Sequence, residues 1–174
     1  MRLFIGLTLP GAIKRQIRAT QHGIRHARWQ NSNQLHLTLN FIGQVPEDQA
    51  PALCELVSAF QFAPFSLQLT GAGRFGTRAL WLGVSPDEPV IQLHESFKAL
   101  LAEQDWPTEN RRFRPHVTVA RLGRRSDCTD YLQTHQDFRS PPFTVRQAVL
   151  FSSAQGPQGS HYEVIARTAK PPRY

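Results

Sequence analysis

Apolar positions along the 174 residues recur with two periods that alternate down the chain. Arg2 to Leu9 reads as a strand. Pro10 then opens a helix that Ile13, Ile17 and Ile24 carry through about Ala27 on one face. Gln34 to Ile42 alternates strictly and predicts a strand. Pro46 to Phe60 returns to the helical period, with Leu53, Leu56, Val57 and Phe60 as its stripe. Phe65 to Thr70 and Arg78 to Val84 predict two strands joined by a glycine-rich turn. Glu88 to Trp106 predicts a helix carrying Ile91, Phe97, Leu100 and Leu101, and Phe113 to Leu122 another strand. Ser126 to about Gln136 reads as a short helix capped by Ser126. Phe143 to Ser153 and His161 to Thr168 close the chain as strands around the turn Gly156-Pro157-Gln158-Gly159. The tail Lys170-Pro171-Pro172-Arg173 is expected to fray.

This order predicts an α+β protein with antiparallel or mixed sheets, because hairpin-like strand pairs argue against regular parallel βαβ units. Neither a linker nor a low-complexity stretch divides residues 1–174, so they read as one domain. A helix followed by a strand containing His-x-Thr occurs twice, at 36–38 and 116–118, which hints at two similar halves.

Composition narrows the setting. Hydrophobic residues make up 40% and charged residues 19%, a globular balance. No apolar run nears the roughly 18 residues that span a bilayer. The opening segment, with Pro10 and a strand-like pattern, is a poor secretory signal, so a cytoplasmic location is expected. The two cysteines, Cys54 and Cys128, fall in predicted helices without metal-ligand spacing, which argues against a disulfide scaffold or structural zinc. The net charge is +7, and 17 of the 20 basic residues are Arg. Guanidinium forks suit phosphate and RNA, although codon usage produces the same bias. A monomer is the default expectation, since no exposed coiled-coil seam is present.

The chemistry concentrates in the two His-x-Thr strands. In the first, Leu35, Leu37, Leu39 and Phe41 should point to the core, with His36, Thr38 and Asn40 opposite. In the second, Val117 and Val119 should face inward, with His116 and Thr118 outward. Each strand thus offers an imidazole beside a hydroxyl. In-line cleavage of a phosphodiester needs a base on the attacking oxygen and an acid on the leaving one. Two imidazoles, with ordinary pKa near 6.5, suit both tasks, and hydroxyls can donate to the phosphate oxygens. Two surface histidines bonded to water give the same pattern without function.

The paired motifs, the second as Arg-Pro-His-Val-Thr-Val-Ala-Arg, resemble those of the two-histidine phosphoesterase superfamily. Within it, the chain is most similar to the RNA 2′,3′-cyclic phosphodiesterases, also called 2′-5′ RNA ligases. The resemblance extends to Arg2-Leu3-Phe4-Ile5 before a Pro-led helix, to Phe41-Ile42-Gly43, and to Tyr162 after a glycine-containing turn. It implies a bilobal α+β fold, two similar lobes each with a mostly antiparallel sheet and flanking helices around a central groove. It implies opening of an RNA 2′,3′-cyclic phosphate end, or of a cyclic nucleotide, to a 2′-phosphomonoester. His36 would be proton donor and His116 proton acceptor, Thr38 and Thr118 would hold the phosphate, no metal or cofactor is needed, and reverse 2′-5′ ligation is a minor possibility. The alternatives are a phosphodiesterase for a small cyclic nucleotide of the ADP-ribose cyclic phosphate type, and an RNA-binding module without turnover.

Other residues carry less. Arg114 and Arg121 flank the second motif and are candidate phosphate contacts. Tyr162 is a candidate groove residue by alternation with Val164, whereas Phe41, Phe75, Trp29 and Trp81 read mostly as core. Gly71-Ala72-Gly73-Arg74-Phe75-Gly76 has the form of a dinucleotide fingerprint but leads into a strand, so it reads as a hairpin connection. His22 and His26 stand i,i+4 on the predicted first helix without a third ligand, and His94-Glu95 lacks the second histidine of a zincin. No Gly-x-Ser-x-Gly elbow supports a serine hydrolase.

Overall fold

A computed structural model describes residues 1–171. Its elements are β1 (Arg2–Leu7), α1 (Gly11–Thr20), β2 (Arg28–Trp29), β3 (Leu37–Gln44), α2 (Ala50–Ala59), β4 (Phe65–Phe75), β5 (Ala79–Ser85), α3 (Glu88–Glu103), β6 (Val117–Arg121), α4 (Thr129–His135), β7 (Phe143–Val145), β8 (Val149–Gly156) and β9 (Gly159–Arg167). All strand pairs are antiparallel, as the hairpin pattern predicts. Among the described residues, no helix is long and apolar enough to cross a membrane.

The strands follow one path, β7-β4-β5-β6-β3-β1-β8-β9, with β2 added to β6. The expected separate sheets of two lobes are therefore two halves of a continuous sheet. They meet at the β3–β6 seam through the single register pair Leu37–Val117. Outward from this seam the halves repeat: β3, β1, β8, β9 one way and β6, β5, β4, β7 the other. An antiparallel pair has a local two-fold axis, and here that axis passes between the two His-x-Thr motifs.

Helices cover one face of the sheet. α1 buries Ile13, Ile17 and Thr20, α2 buries Ala50, Leu53 and Val57, and α3 buries Val90, Leu93, His94, Phe97 and Leu101, each at i,i+3/i+4 spacing. The apolar residues among these join Leu3, Ile5, Leu37, Leu39, Val117 and Val119 in the main core. A smaller cluster, Phe4, Val149 and Phe151 with Phe41, Tyr162 and Val164 packed against it, lies apart from that core. Successive β1 residues Leu3 to Leu7 are all buried, because this strand is covered on both faces. A Cβ at Gly6 would sit 2.7 Å from the Leu37 carbonyl oxygen, so only glycine fits there.

Several boundaries differ from the sequence reading. α1 ends at Thr20, whose hydroxyl donates to the Ile17 carbonyl, and Gly23 (φ 86°) and His26 (φ 63°) turn the chain away. His22 and His26 therefore do not share a helix face. The short strand β2 occupies part of the span next to the expected helix end. β4 runs on through the glycine-rich segment as a hairpin arm, where Gly71 (φ 68°) sits at a register shift and a Cβ on Gly73 would collide with the Trp81 ring. Ser126 does not cap α4. Its hydroxyl accepts from Gly123 N–H and donates to the Arg25 carbonyl, and Cys128 takes the cap position. Cys54 lies in α2, and both cysteines are free. Of the tail expected to fray, Pro172 and Arg173 lie outside the described residues.

Candidate active site

His36 and His116 immediately precede Leu37 and Val117, the register pair at the seam. The local two-fold therefore sets His36 across from Thr118 and Thr38 across from His116 on the face opposite Leu37 and Val117. All four line a single groove of about 710 Å³.

Both rings are locked in the same way. His36 Nδ1–H donates to the Gln34 carbonyl at 2.7 Å, and His116 Nδ1–H to the Arg114 carbonyl at 2.6 Å. A carbonyl only accepts, so Nδ1 carries the proton in each neutral ring and Nε2 keeps its lone pair. The surroundings then differ. The Thr38 hydroxyl donates to His36 Nε2 at 2.8 Å, and Phe4, Phe151 and the edge-on Tyr162 ring enclose His36 with centroids 4.9–5.4 Å away. His116 meets Phe75 edge-on at 4.8 Å and Trp81 at 6.3 Å. Burial pushes His36 down to about 4. The Gln34 carbonyl opposes this, and the charges of His116, Arg121 and Lys14 add to it. Burial also lowers His116, opposed by the Arg114 carbonyl and reinforced by Arg121.

Two bulges shape the rest. In β3, Thr38 pairs with Gly6 and Asn40 with Ile5, so Leu39 is an extra residue. In β6, Thr118 pairs with Trp81 and Ala120 with Leu80, so Val119 is extra. Each bulge reverses the alternation one residue beyond the threonine. Asn40, predicted to face out with His36, is buried and donates through Nδ2 to the His94 carbonyl at 3.1 Å. Phe41, predicted as core, instead opposes Phe4 and lines the groove, with the Arg2 guanidinium 5.1 Å above its ring. The second bulge turns Arg121, in register with Ala79, to the groove.

Arg114, Arg121 and Tyr162 all line the groove. Phe75, read mostly as core, lines it too, whereas Trp29 packs against the main core. Sequence reasoning missed Phe4 beside His36, Gln34 as the acceptor that fixes its ring, and the groove cations Arg78 and Lys98. Position i−2 from each histidine is the signal for the acceptor carbonyls. Nothing local marks Arg78 or Lys98. Among the described residues, no group of three or more His, Cys, Asp or Glu is placed to hold a metal ion.

Residues 9–157 match the family model described as the 2′-5′ RNA ligase superfamily, and the chain belongs to that family. Its relatives include the RNA 2′,3′-cyclic phosphodiesterase of Escherichia coli K12, 35% identical over 173 residues that cover 97% of this chain and 96% of the relative. The enzyme of that name from Thermotoga maritima is 29% identical, covering 95% and 93%. Among solved structures, a Thermus thermophilus protein superposes with TM-score 0.79 at 26% identity, covering 96% of each chain. E. coli LigT complexed with 3′-AMP gives 0.74 at 26% identity, covering 95% of each.

Proposed function

We propose that this chain is an RNA 2′,3′-cyclic phosphodiesterase that opens the cyclic end to a 2′-phosphomonoester. The observation that carries the reading is the two-fold pair of imidazoles, each with Nδ1 tied to a carbonyl so that Nε2 is the nitrogen that can exchange a proton, in one cation-lined groove. The relatives named for this activity support it.

In this mechanism, His116 Nε2 takes a proton from a water whose oxygen attacks phosphorus. The bond from phosphorus to the 3′ oxygen breaks, and His36 Nε2–H protonates that oxygen. Thr38 and Thr118 donate to the non-bridging oxygens, and Arg121 and Arg114 neutralise charge that develops on them. Tyr162 borders the nucleoside beside His36. An acid must hold its proton when the reaction starts, yet His36 is neutral in the empty groove near pH 7. The bound phosphodiester anion reverses the local field and favours the charged imidazolium, so His36 takes up a proton as substrate binds. The same groups run the reverse 2′-5′ joining by microscopic reversibility.

Phosphorus NMR of a short RNA ending in 2′,3′-cyclic phosphate, incubated with the protein and EDTA beside the His116→Ala variant, tests this reading. Conversion to the 2′-phosphate by the wild type alone is expected. Absent turnover, a 3′-phosphate product, or equal turnover by the variant would overturn it.

A further inference from the structure

His94 belongs to neither motif, yet it touches the surroundings of both. It sits on α3 at 7% exposure. Its Nδ1–H donates to the carbonyl of Leu39, the bulged residue that follows Thr38, at 2.8 Å. Its own carbonyl accepts from Asn40 Nδ2 at 3.1 Å, and its Nε2 lies 3.8 Å from the Glu95 carboxylate. The flat face of the ring is stacked on Phe113, centroids 4.1 Å apart and planes 13° from parallel. Phe113 stands three residues before His116.

The segment around Phe113 needs such an anchor. Residues 107–116 form neither helix nor strand, and 107–115 make no backbone–backbone hydrogen bond among the described residues. The segment nevertheless carries Arg111, Arg112 and Arg114, all lining the groove. One of these charges is matched locally, Arg111 against Glu109 at 2.9 Å. A cyclic phosphate end bears a single negative charge, and the proposed mechanism already sets Arg121 and Arg114 against it. Cations on the neighbouring segment have work to do only if further phosphates of the strand lie along it. Backbone–backbone bonds do not hold Arg111 and Arg112 there, and the nearest tie, the Arg114 carbonyl accepting from His116 Nδ1–H, lies beyond Phe113. The Phe113 ring, pinned on a histidine that is itself bonded to the bulge of the other motif, holds them.

We propose that His94 is a positioning residue that fixes Arg111 and Arg112 through Phe113, and so sets the preference of the site for RNA strand ends over free cyclic nucleotides. This inference rests on the function proposed above. Loosening the stack lets the arginines spread over many positions. The cost falls on binding of upstream phosphates, which a mononucleotide lacks.

The test compares two variants on two substrates. Phe113→Ala removes the stack from the segment side. His94→Phe keeps an aromatic face for Phe113 while removing the bond to Leu39. The substrates are a short oligoribonucleotide ending in 2′,3′-cyclic phosphate and cytidine 2′,3′-cyclic phosphate. For Phe113→Ala, the loss of kcat/KM on the oligonucleotide should exceed the loss on the mononucleotide by roughly three- to tenfold, expressed in KM. The log–log salt slope of oligonucleotide binding, read by fluorescence anisotropy, should fall by about 0.7 for each phosphate that the arginines no longer neutralise. His94→Phe should retain more of the substrate preference than Phe113→Ala. Equal losses on both substrates, or an unchanged salt slope in Phe113→Ala, would overturn the inference. If His94→Phe does not fold, Phe113→Ala alone decides. A wild type without turnover overturns the proposed function, while the anisotropy slopes still judge the role of the segment.

Discussion

His36 and His116 occupy equivalent places in the two halves of the sheet and sit in unlike surroundings. The backbone is what they share: a seam residue next in chain, a carbonyl two residues back that holds Nδ1, and a bulge after the threonine. Side chains from outside the motifs make the difference. Phe4, Phe151 and Tyr162 wall in His36, and the Thr38 hydroxyl already occupies its Nε2. His116 has an aromatic edge and a looser flank, and its Nε2 has no partner among the described residues. The larger depression of pKa falls on the more enclosed ring. A symmetric scaffold with unequal lining yields one weaker and one stronger base from the same side chain. In the empty groove the proposed acid is the weaker base of the two, so the bound phosphate has to raise His36 before it can give up a proton.

The largest expected effect comes from removing either ring. His36→Ala and His116→Ala should each lower kcat by about 10²- to 10⁴-fold. The double variant should be little worse than the poorer single one, because the two transfers act as a unit. Fully additive losses in a single-turnover assay would show that the halves work independently.

The enclosure of His36 should also be visible in stability. Its folded pKa, about 4, lies below the ordinary 6.5, so the unfolded chain takes this proton first as pH falls. The contribution is complete above pH 6.5 and is lost as pH drops through that value towards 4. At most it amounts to about 3 kcal/mol. Denaturant melts of wild type and His36→Gln, followed from pH 7.5 to 4, should show a steeper acid loss in the wild type. Parallel curves would mean that the ring is not enclosed as described.

Arg121 distinguishes the halves more gently, since Phe41 stands at the corresponding place after the other bulge. Arg121→Ala should raise KM for RNA by about tenfold and lower the salt slope by about 0.7. It should also let both histidine pKa values rise, because its charge depresses each. Unmoved imidazole titrations by NMR would place its guanidinium away from the groove.

The sequence carries the positions of the four motif residues, because a strand's period of two puts His and Thr at i,i+2 on one face. Tyr162 follows from the same rule. The rule fails at Phe41, Asn40 and, for its physical reason, Arg121. Nothing about Leu39 or Val119 announces a bulge, since neither is glycine and both are buried like ordinary core residues. By strict alternation Arg121 would share the core face with Val117 and Val119. Only the pairing with β5 reverses it. His22 and His26 escape sequence reasoning in a similar way, because the stop after Thr20 depends on backbone angles at Gly23 and His26 that apolar spacing does not encode. The role of His94 lies further from reach, as its partners Leu39 and Phe113 are 55 and 19 positions away in the chain.

The pH dependence of wild-type kcat/KM on an RNA 2′,3′-cyclic phosphate tests the paired-histidine mechanism most directly. It reports the free enzyme, in which His36 must be protonated and His116 neutral, and both pKa values lie below 6.5. The profile should be bell-shaped, with its maximum below pH 6.5 and a tenfold fall for each pH unit well above it. The kcat profile should reach further towards neutral pH, because the bound phosphate raises His36. A kcat/KM that is flat or rising from pH 5 to 8 would contradict proton transfer by this pair.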